Sequence, residues 1–102
     1  MYIAGPSGKI ECQLDQVADG GKEAIAVLCH PHPLYGGSMH DRVLSTVAHR
    51  FIESGITCLR FNFRGVGSSE GVHDNGEGEK DDLISVVDYV RTEFQPQPIW
   101  TI

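Results

Sequence analysis

The spacing of apolar residues changes repeatedly along this chain, and each change marks an element. From Lys9 to Val17 the residues alternate, with Ile10, Cys12, Leu14 and Val17 set against Lys9, Glu11, Gln13 and Asp15. That is the period of a half-buried strand. Tyr2 to Ala4, closed by the turn residues Gly5-Pro6-Ser7-Gly8, completes a hairpin suited to a sheet edge. Ala18 to Lys22 reads as a turn. Ala24-Ile25-Ala26-Val27-Leu28-Cys29 is uninterrupted and apolar, as a strand buried on both faces must be. It stops at Pro31 and Pro33, which cannot donate to a ladder.

Beyond Gly36-Gly37 the period becomes helical, through Val43, Leu44, Val47, Ala48, Phe51 and Ile52. Ser38 is the expected N-cap, with Asp41 placed where it favours the positive end of the helix dipole. Gly55 supplies a left-handed stop. Ile56 to Phe63 is another strand. Residues 64–78 are glycine-rich and aperiodic, a long loop of the kind that is often functional. Glu79 to Phe94 returns to helical spacing through Leu83, Ile84, Val87, Val90 and Phe94, with acids at 77, 79, 81 and 82 around its start. Pro96 and Pro98 end it, and Ile99 to Ile102 has the composition of a strand. The order β-β-β-α-β-α-β predicts a single α/β domain over residues 1–102. Its layers should form a three-layer sandwich, mostly parallel, with right-handed crossovers.

Composition narrows the function. The chain has 102 residues, a net charge of −6 and an isoelectric point near 5.2. Without a basic face to neutralise phosphates, nucleic acid and anionic membranes are not expected partners. Cys12, Cys29 and Cys58 form no spaced framework, and two of them lie in apolar strand patterns, as expected of buried free thiols in a reducing compartment. No signal-peptide pattern is visible at the N-terminus, and no apolar run approaches the roughly 20 residues that span a bilayer. A cytoplasmic location is the expectation.

Chemistry concentrates in two loops. Ligands of open α/β sheets bind at the carboxyl ends of strands, and the segment His30-Pro31-His32-Pro33-Leu34-Tyr35-Gly36-Gly37-Ser38 follows such an end. The simpler account is that His30 and His32 cap the strand and hydrogen-bond locally. His30, His32 and His40 invite a metal, but a His-x-His pair on extended backbone points to opposite sides. No metal and no cofactor is expected. In the second loop, Gly67-Ser68-Ser69-Glu70-Gly71 matches Gly-x-Ser-x-Gly. A nucleophile elbow needs a strand before it and a helix directly after, and here a glycine-rich loop continues. Ser69 is therefore expected to be a loop residue. The segment lacks the Gly-Lys-Ser/Thr ending of a phosphate loop. His73-Asp74-Asn75-Gly76-Glu77 does not fit calcium-loop spacing. Arg64 is expected to pair with Glu79 or Asp82.

The two loops together carry a resemblance. His30-Pro31-His32-Pro33-Leu34-Tyr35-Gly36-Gly37-Ser38-Met39 resembles the loop after the third strand of small bacterial serine hydrolases of the α/β-hydrolase superfamily. Arg60-Phe61-Asn62-Phe63-Arg64-Gly65-Val66-Gly67-Ser68-Ser69-Glu70-Gly71 resembles the loop after their fourth. The resemblance implies the first five strands of that fold, in sheet order 1-2-4-3-5, and a truncated N-terminal half. It implies an oxyanion and pocket loop made of His30, His32, Leu34, Tyr35, Gly36 and Gly37. The amide of His32 is the implied oxyanion donor, with Leu34 the second choice. Arg64, Gly65 and Gly67 belong to the second loop. No catalytic residue is then expected in this chain, because nucleophile, acid and base would lie beyond Ile102. The implied activity is hydrolysis of a carboxylic ester or related small acyl compound, once a complementing C-terminal half is present. The alternative is a catalytically inactive module acting through self-assembly or binding. An exposed fifth strand makes a homo-oligomer paired through residues 98–102 the expected state.

Overall fold

The computed structural model describes residues 1–17, 24–30, 37–94 and 98–102. Among them run β1 (Tyr2–Gly5), β2 (Gly8–Asp15), β3 (Ile25–Cys29), α1 (Arg42–Glu53), β4 (Thr57–Phe61), α2 (Glu77–Glu93) and β5 (Ile99–Thr101). The sheet order is β1-β2-β4-β3-β5, the order the resemblance implies. Hairpin β1–β2 joins β4 antiparallel, with Cys12 opposite Phe61. The core of the sheet is parallel: β3 pairs with β4 in the register Val27 to Leu59, and with β5 in the register Val27 to Thr101.

The period of two explains the three layers. Ile25, Val27, Leu59 and Phe61 face one side, where Val86 and Val90 of α2 cover them. Ala26, Leu28 and Cys58 face the other, against Leu44 and Ala48 of α1. Both faces of β3 and β4 are apolar because both are buried. At the sheet edge Ile99 packs on the α2 side, while Trp100 leans on Phe51 of α1 with ring centroids 6.3 Å apart.

The strands β2 and β4 each end two residues earlier than the sequence reading, at Asp15 and Phe61, and both helix starts differ. Ser38 does not cap α1; the N-cap is Asp41, whose Oδ2 accepts from Leu44 N–H at 3.1 Å. Ser38 instead opens a turn, its carbonyl accepting from Asp41 N–H. Helix α2 begins at Glu77 rather than Glu79, because the Glu79 carboxylate turns back to the N–H of Gly76 and stabilises the turn before it. Its buried stripe also differs: Glu79, Asp82, Val86 and Val90 face inward, whereas Ile84 is exposed. The end of α1 is as expected. Gly55, at φ +82°, donates to Ile52 O, and Ile56 donates to Phe51 O. This is the paired closure that a left-handed residue permits.

All three cysteines are free; Cys12 and Cys58 are buried. Burial pushes their thiols up, to about 12 and about 11, so both stay protonated and inert at neutral pH.

Candidate active site

The carboxyl ends of β3 and β4 carry both loops singled out in the sequence. His32, Leu34, Tyr35 and Gly36 lie outside the described residues, so the implied oxyanion donor has no geometry here. His30 and Gly37, which flank them, are described. His30 is buried, and its Nε2 accepts from Phe63 N–H at 3.0 Å. A backbone donor at Nε2 requires a lone pair there, which leaves the ring proton on Nδ1. The ring stands edge-on to Phe63, and Phe63 edge-on to Phe61, with centroids 4.9 and 4.8 Å apart. His30 thus ties the end of β3 to the end of β4. Beside it opens a hollow of about 450 Å³, lined by Cys29, His30, Asp41, Val43, Leu44, Val47 and Ile102. A second hollow of about 430 Å³, lined in part by Asp15, Ser45, His49 and Arg60, lies on the α1 side. Its arginine is already paired with Asp15 at 3.1 Å.

In the second loop Ser69 and Glu70 hold backbone groups. Ser69 is buried; its hydroxyl donates to Asn62 O at 2.6 Å and accepts from Glu11 N–H at 2.8 Å. Its proton is committed to a carbonyl, so the Gly-x-Ser-x-Gly pattern here marks a brace between the loop and β2. Glu70 reinforces the brace, exchanging hydrogen bonds with Lys9 through Lys9 N–H to Glu70 Oε1 and Glu70 N–H to Lys9 O. The loop is thereby fastened along β2.

Arg64 pairs with Asp82, as one of the two sequence options had it. The guanidinium donates from Nε and Nη2 to the two carboxylate oxygens at 3.2 and 2.9 Å, and Arg64 N–H donates to Oδ2 at 2.9 Å. Asp82 is 1% exposed. A fork this buried and saturated is a structural clamp between loop and α2, and it leaves little of Arg64 to reach a substrate. Glu79, the other option, has different work: it accepts from Asp74 N–H and Gly76 N–H at 2.8 and 2.9 Å and lies 3.1 Å from His73 Nδ1. Gly65 and Gly67 take left-handed φ of +78° and +53°. Among the described residues no cluster of His, Cys, Asp or Glu could hold a metal ion, and no helix is long and apolar enough to cross a membrane.

Sequence reasoning passed over Glu11, Asn62, Arg60 and Gly78. Glu11 looked like the outward residue of an alternating strand, yet its Oε1 accepts from Ser68 N–H and Asn62 Nδ2, both at 2.8 Å. Asn62 is 1% exposed, the one amide among the largest fully buried side chains. No spacing rule pairs residues 51 positions apart. A polar residue at the end of an apolar strand is the available signal.

These carboxylates have a pH signature. The Ser68 N–H, followed by the Asn62 amide, holds Glu11 below its ordinary value near 4.5 in spite of some burial. Burial works against the charge of Glu79, but the N–H groups at Asp74, Glu79 and Gly76 together with His73 outweigh it and hold that carboxyl low as well. A depressed carboxyl stabilises the fold fully above its unfolded value and loses that contribution as pH falls through the folded one. Thermal melts should therefore show a loss of stability on acidification below about pH 4.5, and Glu79→Gln should flatten that slope. An unchanged slope in Glu79→Gln would show that Glu79 has the same affinity for protons folded and unfolded.

No family profile matches the sequence. An uncharacterized protein of Rickettsia prowazekii is 41% identical over 91 residues, covering 89% of this chain and 38% of that protein. The structure of an α/β serine hydrolase homologue from Coxiella burnetii superposes with a TM-score of 0.94 at 40% identity, covering 99% of this chain and 49% of its own. A lidless α/β serine hydrolase from Xanthomonas campestris superposes with a TM-score of 0.91 at 38% identity, covering 99% and 47%. The chain thus spans about half the length of the solved structures it matches. Over nearly its whole length the chain superposes on these α/β serine hydrolase homologues, and it has the architecture of the N-terminal half of the α/β-hydrolase fold.

Proposed function

We propose that this chain contributes the oxyanion and pocket half of a serine hydrolase acting on carboxylic esters or related small acyl compounds. The observation that carries the reading is the junction of the two loops at the carboxyl ends of β3 and β4, held by the contact of His30 with Phe63 N–H. In this superfamily the loop after the third strand lends a backbone N–H to the oxyanion hole, and one such donor is worth about 3–4 kcal/mol of barrier. Here that role falls to the amide of His32 or Leu34, with Tyr35, Gly36 and Gly37 completing the pocket wall. Nucleophile, acid and base come from polypeptide corresponding to the other half of the relatives' length. This chain alone supplies no nucleophile, since the Ser69 hydroxyl is spent on Asn62 O.

A second reading is favoured by the edge of the sheet. Among the described residues β5 pairs with β3 alone, and Trp100 and Ile102 are 41% and 54% exposed. An uncharged open edge invites pairing. The complementing half is the occupant the first reading requires; a second copy of this chain, as an inactive self-assembling module, is the other.

A p-nitrophenyl ester assay separates them. The chain alone should give no saturable turnover, and Ser69→Ala should leave that background unchanged. Joined to the half it lacks relative to the Coxiella burnetii homologue, it should turn over ester with saturation. Saturable turnover by the chain alone, abolished in Ser69→Ala, would overturn the reading of Ser69. Folded but inert joined halves, with the lone chain sedimenting as a dimer, would favour the second reading.

A further inference from the structure

The segment between β3 and α1 is tied down at both ends by residues in and just after β4. At its start His30 accepts from Phe63 N–H. At its end Met39 is held twice: its N–H donates to Asn62 Oδ1 at 2.8 Å, and its carbonyl accepts from Arg60 Nη1 at 3.3 Å. Arg60 and Asn62 are two positions apart on extended backbone and so reach the same side.

The asparagine contact depends on which way the amide points. One end of a carboxamide accepts and the other donates, so a flipped Asn62 would present N–H₂ to the Met39 N–H, two donors facing each other in a buried site. Glu11 prevents this. Its carboxylate has only acceptors to offer, and its Oε1 takes Asn62 Nδ2 and Ser68 N–H, both at 2.8 Å. Asn62 N–H donates to the Glu11 carbonyl at 2.9 Å, which fixes the two backbones as well. The pair is closely enclosed. A Cβ on Gly67 would stand 2.6 Å from both Asn62 Nδ2 and Glu11 Oε1, closer than real side chains approach. Two further titratable groups act on Glu11, the His40 ring and the N-terminal amine.

We infer that ionised Glu11 is an orientation lock: it fixes the Asn62 amide so that its carbonyl holds Met39, and through Met39 it positions the entry to α1, residues 37–39. Glu11 and Asn62 are positioning residues. The inference rests on the reading of the segment between β3 and α1 as the pocket half of a hydrolase, but the lock itself is a property of this chain.

Its test is amide hydrogen exchange by NMR on the whole chain at neutral pH. In Glu11→Gln the new amide can donate as well as accept, so Asn62 is free to flip. Exchange at Met39 should quicken about tenfold or more while Leu59, Val86 and Val90 keep their wild-type protection. The double variant Glu11→Gln with Asn62→Asp exchanges the two functional groups. The amide now at position 11 donates to the carboxylate at position 62, whose other oxygen accepts from Met39, and protection at Met39 should return close to wild type. A merely structural role for Glu11 would lower protection across the sheet and would not be rescued by the exchange. Unchanged Met39 protection in Glu11→Gln overturns the lock, as does a double variant that leaves Met39 as open as the single one. Should Glu11→Gln fail to fold, the double variant alone decides on the same criterion. Failure here leaves the hydrolase reading standing, because that reading is judged by turnover of the joined halves.

Discussion

Asp82→Ala should destabilise the chain by about 3–5 kcal/mol, the cost of leaving a buried charge without its partner. Asp82 accepts three hydrogen bonds from one residue, and the side chains of Arg64 and Asp82 are 10% and 1% exposed. Removing the carboxylate strands the guanidinium and the Arg64 N–H together. Against a total stability of roughly 5–15 kcal/mol, this is a large share, and melting should fall by on the order of 15 °C or more. Asp82→Asn keeps one acceptor in place and should cost less. Melting curves of the two variants settle the point. A fall of only a few degrees in Asp82→Ala would mean that Arg64 swings to water and the clamp holds nothing.

Gly78→Ala should destabilise by about 2–3 kcal/mol, the range of overpacking in an enclosed site. Helix propensity alone predicts the opposite sign, since alanine is favoured over glycine inside a helix by about 1 kcal/mol. Space decides between the two effects. A Cβ at Gly78 would fall onto the Arg64 guanidinium, against Cζ and Nη1 and 2.8 Å from Nε. Glycine in the first turn of α2 therefore makes room for the clamp. The two substitutions should couple. With Asp82→Ala already in place the guanidinium is released, and adding Gly78→Ala should then be neutral or stabilising. A double-mutant cycle by denaturant unfolding reads this reversal; additive costs would show that the methyl meets something other than Arg64.

The joined pair of Arg64 and Asp82 also bears on what the second loop does. Its glycines and arginine look like ligand-binding chemistry when read in line. In three dimensions the arginine is turned inward onto α2, Ser69 and Glu70 are turned onto β2, and Asn62 is turned onto Met39. The loop is a fastening for the described ends of the segment after β3.

Much of this was legible in the residues themselves, and the reason is periodicity. Apolar spacing of two and of three to four reports which side of an element is buried, and β2, β3, α1 and β4 follow it closely. The left-handed stop at Gly55 and the unfitness of Ser69 as an elbow nucleophile are also local properties, readable from neighbours in sequence. What only the tertiary structure decided was the destination of the polar side chains. Glu11 sits in a pattern that marks an exposed position, yet it is committed to Ser68 and Asn62, and of the two partners the sequence offered Arg64 the fold chose Asp82. The start of α2 and its polar buried stripe followed from those partners, because a carboxylate that caps a loop must face inward. Hydrophobic burial is non-directional and leaves a periodic trace along the chain. A hydrogen bond depends on distance and angle between two groups, so which donor meets which acceptor across tens of residues is settled only when the strands are side by side.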